Sequence, residues 1–237
     1  FTLGGVGNRD PDDCRVSCQY LLVPESGSDA SISSCSLPET AVAGRLHSLG
    51  LLAYENDREE DMNLKPFLQA ILEDYALPLG GDHGVAHWAR VLENGLRLSE
   101  ETGANIQVVQ LFAVLHDSRR INEVTDPEHG PRAAEFAAEL RGSVFDLDDH
   151  EFRLLYRACE GHTHERNHPD VTIQTCWDSD RLDLGRVGIM PHPSRLCTKV
   201  AKRPETIKWA DGRASFGVVP TFVLDEWGID LEQERTW

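Results

Sequence analysis

No run of about 18 consecutive apolar residues occurs in the 237-residue chain, so no membrane-spanning helix is expected. The first residues also lack a basic start followed by an apolar stretch, so no secretory leader is expected. Positive charge is scarce: 23 Lys and Arg stand against 40 Asp and Glu, a formal net charge of −17. Such a surface releases few phosphate counterions, which argues against stable binding to nucleic acid or to anionic membranes. A small phosphorylated ligand stays open, because a bound cation reverses the local field. The six cysteines, at 14, 18, 35, 159, 176 and 197, include no C-x-x-C pair. Cys159 and Cys176 lie in apolar helical patterns where a buried thiol is the usual state, and a reducing cytoplasm fits best. A disulfide among Cys14, Cys18 and Cys35, in loop-like surroundings, is the alternative. No internal repeat at a fixed period is present.

What is present is an ordinary globular composition, 40% hydrophobic with 7% aromatic residues, enough to fill a core. Residues 1–60 read as a loosely structured N-terminal extension, with a Ser-rich stretch at 24–38, a weak helix at 39–53 and an acidic connector at 55–61. From Asn63 the pattern turns helical, with Asn63 as a cap, Pro66 in the first turn and Pro78 as the stop. Further helices are expected over 83–100 (ended by Gly103), 105–118, 128–141, 148–163 and 170–186. The stretch 105–118 is apolar nearly all round, as a central buried helix should be. No alternating strand pattern separates these helices, so an all-α bundle is expected over 61–204. The tail, 205–237, should pack on that bundle; its segment Phe216–Leu224 reads either as a short strand or as packed extended chain.

Chemistry concentrates in three places. His116-Asp117 ends the most apolar helix, and an ionised Asp there needs a partner, for which a cation serves well; a capping Asp is the plainer alternative. His87 lies mid-helix, one turn after His83. Asp178, Asp180 and Asp183 crowd six residues of another apolar helix, where a solvated face paired with Arg181 and Arg186 is the alternative. Two more histidines, His129 at a helix start and His162 at a helix end, have places suited to ligands or to surface residues. His164 and His168, among polar neighbours, read as surface residues. The cluster Gly4-Gly5-Val6-Gly7 is not a phosphate loop, since no strand precedes it and the Lys-Ser/Thr step is missing.

Three segments, Asp82 to Val91, Leu111 to Asp117 and Asp178 to Asp183, together resemble the HD-domain superfamily of metal-dependent phosphohydrolases. That family's signature is a His, then His-Asp, then a distant Asp, on separate helices of one bundle. The resemblance covers about residues 80–200. It implies an HD-domain helical bundle with metal ligands at His87, His116, Asp117 and Asp180. Asp180 is chosen over Asp178 or Asp183 because it matches the acid just before an Arg-Leu step, which leaves Asp178 as a group supporting the ligands. In related proteins, histidines placed like His129 and His162 bind a second metal or face substrate phosphates.

The cofactor expected from two imidazoles and two carboxylates is a divalent ion: Mn, Fe, Co, Ni or Mg. Such an ion activates water at neutral pH and offsets phosphoryl charge. Asp117 (or Asp178) is then expected to take the water's proton and His129 or His162 to protonate the leaving oxygen. Arg119, Arg120 and Arg181 are expected to hold phosphates, although Arg119 or Arg120 could instead pair with acids such as Glu123. The expected substrate is a small phosphorylated metabolite, a nucleotide above all. The rival expectation is an HD-fold nucleotide-binding or regulatory module with little turnover.

Overall fold

The computed structural model describes residues 62–232; the Ser-rich extension and Cys14, Cys18 and Cys35 lie outside them. The architecture is all-α, with no strand among the described residues. No described helix is long and apolar enough to cross a membrane. Local signals start the helices where elementary chemistry asks. Asn63 accepts the Lys65 N–H at 3.1 Å, Pro66 sits in the first turn, and α1 runs Lys65–Leu72. The next helix, α2 (Val85–Thr102), stops at Gly103 with φ 68°. Asn105 caps α3 (Ile106–Leu115) by accepting from the Val108 N–H at 3.0 Å.

Every residue of α3 from Val108 to Leu115 is buried, and the helix packs against α1, α2 and the three helices that follow. These are α4 (His129–Leu140), α5 (Asp149–Gly161) and α6 (Val171–Arg181). A reciprocal cap between Asp148 and Glu151 opens α5, and Asp170 caps α6. Burial all round is the reason α3 shows little amphipathic pattern: it is the axis of the bundle rather than one of its walls.

Three regions differ from expectation. The first helix ends at Leu72, ahead of the expected stop at Pro78. The helix expected to reach 186 ends at Arg181, where tighter turns take over: Asp183 N–H donates to Asp180 O and Arg186 N–H to Asp183 O. A 3₁₀ turn follows at Leu184–Val187, and this change of winding swings Asp183 towards α2. The tail is helical where a strand was one option, with α7 at Pro204–Ser215 and α8 at Phe222–Asp225. Phe216 is 86% exposed and Leu224 58%, so their apolar spacing marked no buried strand face. Both tail helices pack on α2. A second small core of Leu98, Leu182, Leu196, Val200, Ala201 and Ala210 joins α7 to the bundle.

Candidate metal centre

The end of α3 delivers His116 and Asp117 into the middle of the bundle, both essentially without solvent contact. The His116 ring nitrogen Nδ1 lies 3.1 Å from Phe112 O and 3.2 Å from Ala113 O. Carbonyl oxygens only accept, so Nδ1 carries the hydrogen and Nε2 presents its lone pair. On α2, His87 is held the same way by a stronger partner. Its Nδ1 donates to Asp183 Oδ2 at 2.7 Å, and Arg90 clamps that carboxylate through Nε (2.7 Å) and Nη2 (2.9 Å). The two Nε2 atoms meet 3.1 Å apart, lone pair towards lone pair. Asp117 Oδ2 stands 3.5 Å from the His87 Nε2 and 3.7 Å from the His116 Nε2. Asp180 Oδ1, from the last turn of α6, stands at the same 3.5 and 3.7 Å.

A second group repeats the pattern on the other oxygen of Asp117. His129 opens α4 and His162 follows α5, with Nδ1 of each donating to a backbone carbonyl: Asp126 O for the first, and Cys159 O at 2.7 Å for the second. Their Nε2 atoms are 2.8 Å apart, and they lie 3.1 and 3.7 Å from Asp117 Oδ1. Gly130 is what lets α4 and α5 approach this closely. A Cβ there would stand 2.6 Å from Cys159 O. Asp117 Oδ1 is buried and has no hydrogen-bond donor.

Electrostatics separate the histidines of the centre. Burial pulls His116 down to about 3, so it stays neutral. Burial also works against the Asp117 carboxylate, but the facing imidazoles of His116, His129, His162 and His87 outweigh it and hold its pKa well below the ordinary range. For Asp180 the same opposition, with Arg186 added to the histidines, ends at about 2. His162 is pushed down by burial and up by Asp117 and Asp180, and the carboxylates win. Neutral His116 beside the Asp117 and Asp180 carboxylates thus leaves the His87 side of the centre a set of buried acceptors and anions short of positive charge. His87, His116 and Asp117 form one group that could hold a metal ion, and Asp117, His129 and His162 form another. A divalent cation fits both on this ground, since it satisfies converging lone pairs and a donorless carboxylate oxygen together.

A cavity of about 690 Å³ opens from the centre; Asp117, Asp180, His129 and His162 line its inner end, with Arg120 and Arg186 beside them. Arg120 is the expected phosphate residue that reaches this cavity at the centre. Its Nη1 lies 3.6 Å from Asp117 Oδ1. Arg119 does not line it: its Nη1 faces Ile71 O and Ser118 O at 3.3 Å, and its guanidinium covers the Phe136 ring. Arg181 reaches the wall but gives its hydrogens to the carbonyls of Glu165, Arg166 and Arg195, clamping two wall segments to α6.

The three acids of the α6 region divide. Asp180 faces the histidines, while Asp178 accepts from the Cys197 and Thr198 N–H groups at 2.7 Å and anchors the following loop, away from the role of supporting ligands. Asp183 stands behind His87 instead; the sequence marked it only as one of three acids on this segment, and it did not mark Arg90 at all. A carboxylate at the end of a helix with an arginine buried in a neighbouring apolar stripe was the available signal. No protein-family model, curated protein or solved structure matches the chain.

Proposed function

We propose that the chain is a metal-dependent phosphohydrolase of the HD-domain type, acting on a small phosphorylated metabolite, a nucleotide above all. One observation carries this reading: two pairs of imidazoles converge on the two oxygens of one buried carboxylate, Asp117, at the inner end of an arginine-lined cavity. His87, His116, Asp117 and Asp180 would hold one ion, and Asp117, His129 and His162 a second. Mn, Fe, Co, Ni and Mg all suit such nitrogen and oxygen donors. Once bound, the metal supplies hydroxide at neutral pH and positive charge against the phosphoryl oxygens.

The chain's own residues do the rest. Arg120 and Arg186, each with part of its guanidinium committed to the protein, present the remainder to substrate oxygens. Asp180 and Asp117 accept hydrogen bonds from the attacking water and keep its lone pair directed at phosphorus. Asp183 and Arg90 fix the His87 ring so that it need not reorganise during the reaction. His129 and His162 give their Nδ1 hydrogens to carbonyls and turn their Nε2 lone pairs towards Asp117 Oδ1, which favours ligation over proton donation.

The test is turnover of nucleoside mono-, di- and triphosphates with Mn or Co, alongside His116→Ala and Asp117→Ala. Loss of at least a hundredfold in both variants is expected, on the order of removing a catalytic ion's charge stabilisation. Equal rates in parent and variants would end the enzyme reading. Tight binding of metal and nucleotide without turnover would favour the regulatory module instead.

A further inference from the structure

We propose that His83, backed by Glu123, protonates the leaving oxygen of an alkyl phosphoester, a role that rests on the hydrolase reading above. The ring lines the same cavity as Asp117 and Asp180, two residues ahead of α2. It is 8% exposed and stands edge-on to His87, with 6.3 Å between ring centroids, one ring removed from the metal groups. Its Nδ1 donates to Glu123 Oε2 at 2.5 Å. Its Nε2 has no partner among the described residues and is not one of the buried unpartnered atoms. The other histidines at the centre lack this combination: His129 and His162 are backed by backbone carbonyls and turn Nε2 onto Asp117 and each other, and His164 gives its Nε2 to Pro127 O at 3.1 Å.

The pairing is built, not incidental. Glu123 is 40 residues away from His83, and its Oε1 is buried without a donor. A Cβ at Gly81 would lie 2.1 Å from that oxygen, so glycine is what admits the carboxylate. The Tyr75 hydroxyl donates to His83 O at 2.9 Å and pins the loop. A carboxylate behind an imidazole orients it and stabilises its cation, which is the state a proton donor needs. Burial draws His83 below its ordinary range; Asp117 and Glu123 pull the other way, and Arg120 and Arg186 oppose them. An incoming phosphate adds negative charge to the side of the carboxylates.

In the step itself, the water oxygen bonds to phosphorus as the bond from phosphorus to the leaving oxygen breaks. The electron pair of that bond stays on the leaving oxygen, which takes the Nε2 proton of His83 and departs as an alcohol. The proton lost by water goes to solvent, and His83 regains one from solvent.

The experiment compares a nucleoside monophosphate, whose alkoxide needs a proton to leave, with p-nitrophenyl phosphate, whose phenolate does not, both with Mn. His83→Gln should lower kcat/KM by about a hundredfold to ten-thousandfold on the first and by less than about tenfold on the second. Glu123→Gln and Gly81→Ala should show the same selectivity to a smaller extent. Manganese stoichiometry and melting temperature of His83→Gln should match the parent. Equal losses on the two substrates, or loss of bound manganese, would overturn the role of His83 while leaving the hydrolase reading in place. A parent that hydrolyses neither ester would overturn the role of His83, and one that also leaves nucleoside di- and triphosphates intact would overturn both.

Discussion

Two imidazole pairs share Asp117, and they are supported differently. His87 is backed by a carboxylate that an arginine clamps, and His116 by carbonyls inside α3; His129 and His162 have backbone carbonyls alone. A carboxylate behind an imidazole raises its basicity as well as fixing its orientation, whereas a carbonyl mainly orients it. The first group also has a further anion, Asp180, where the second has a nearby guanidinium, Arg120, with Nη1 3.4 Å from the His129 ring nitrogens. The lesson is that donor count alone does not rank two such groups; what stands behind each donor and what charge lies beside it do. The His87 side is expected to hold its ion more firmly, and the His129 side to exchange.

Asp117→Ala attacks what the two groups have in common and should have the largest effect. Bound Mn measured by elemental analysis is expected to fall below one equivalent, and the rise in melting temperature on adding Mn to the parent should vanish. That rise reflects about 2.7 kcal/mol for an ion at a hundred times its dissociation constant. Asp183→Asn separates the groups. Titration calorimetry should show the tighter ion weakened by about 10–100-fold with the weaker one unchanged, and weakening of both would contradict the ranking.

Gly130→Ala acts on the opposite side. Pressing a methyl group towards Cys159 O should cost about 1–3 kcal/mol in urea unfolding and reduce only the weaker equivalent of metal. Asp148→Ala, at the far end of α5, serves as the control: a lost cap costs about 1 kcal/mol of stability, with both equivalents of metal retained.

The helices were largely legible because their signals are local. Asn105, Asp148 and Asp170 are caps that need only their own next turn, and the apolar run from Val108 to Leu115 is buried wherever a bundle forms. The meeting of His87, His116, Asp117 and Asp180 was also foreshadowed, by three segments in order on separate helices. The division of labour around them was not. Asp178, Asp180 and Asp183 are alike in sequence, and only the change of winding after Arg181 sends one to a loop, one to the histidines and one to the back of His87. Arg119 and Arg181 looked like phosphate residues because a guanidinium suits phosphate oxygens, yet it also donates to backbone carbonyls; which it finds depends on chain brought near from elsewhere.

Helix positions, the acidic surface and the presence of histidines and aspartates at the ends of apolar runs follow from residue order alone, because propensity, capping and charge act over a few residues. Which ring nitrogen bears a hydrogen, which carboxylate is left without a donor and which histidine keeps a free nitrogen in the cavity are properties of the packed bundle. They depend on acceptors contributed by segments 40 and 96 residues away, as Glu123 is for His83 and Asp183 for His87, and no local pattern encodes such distances.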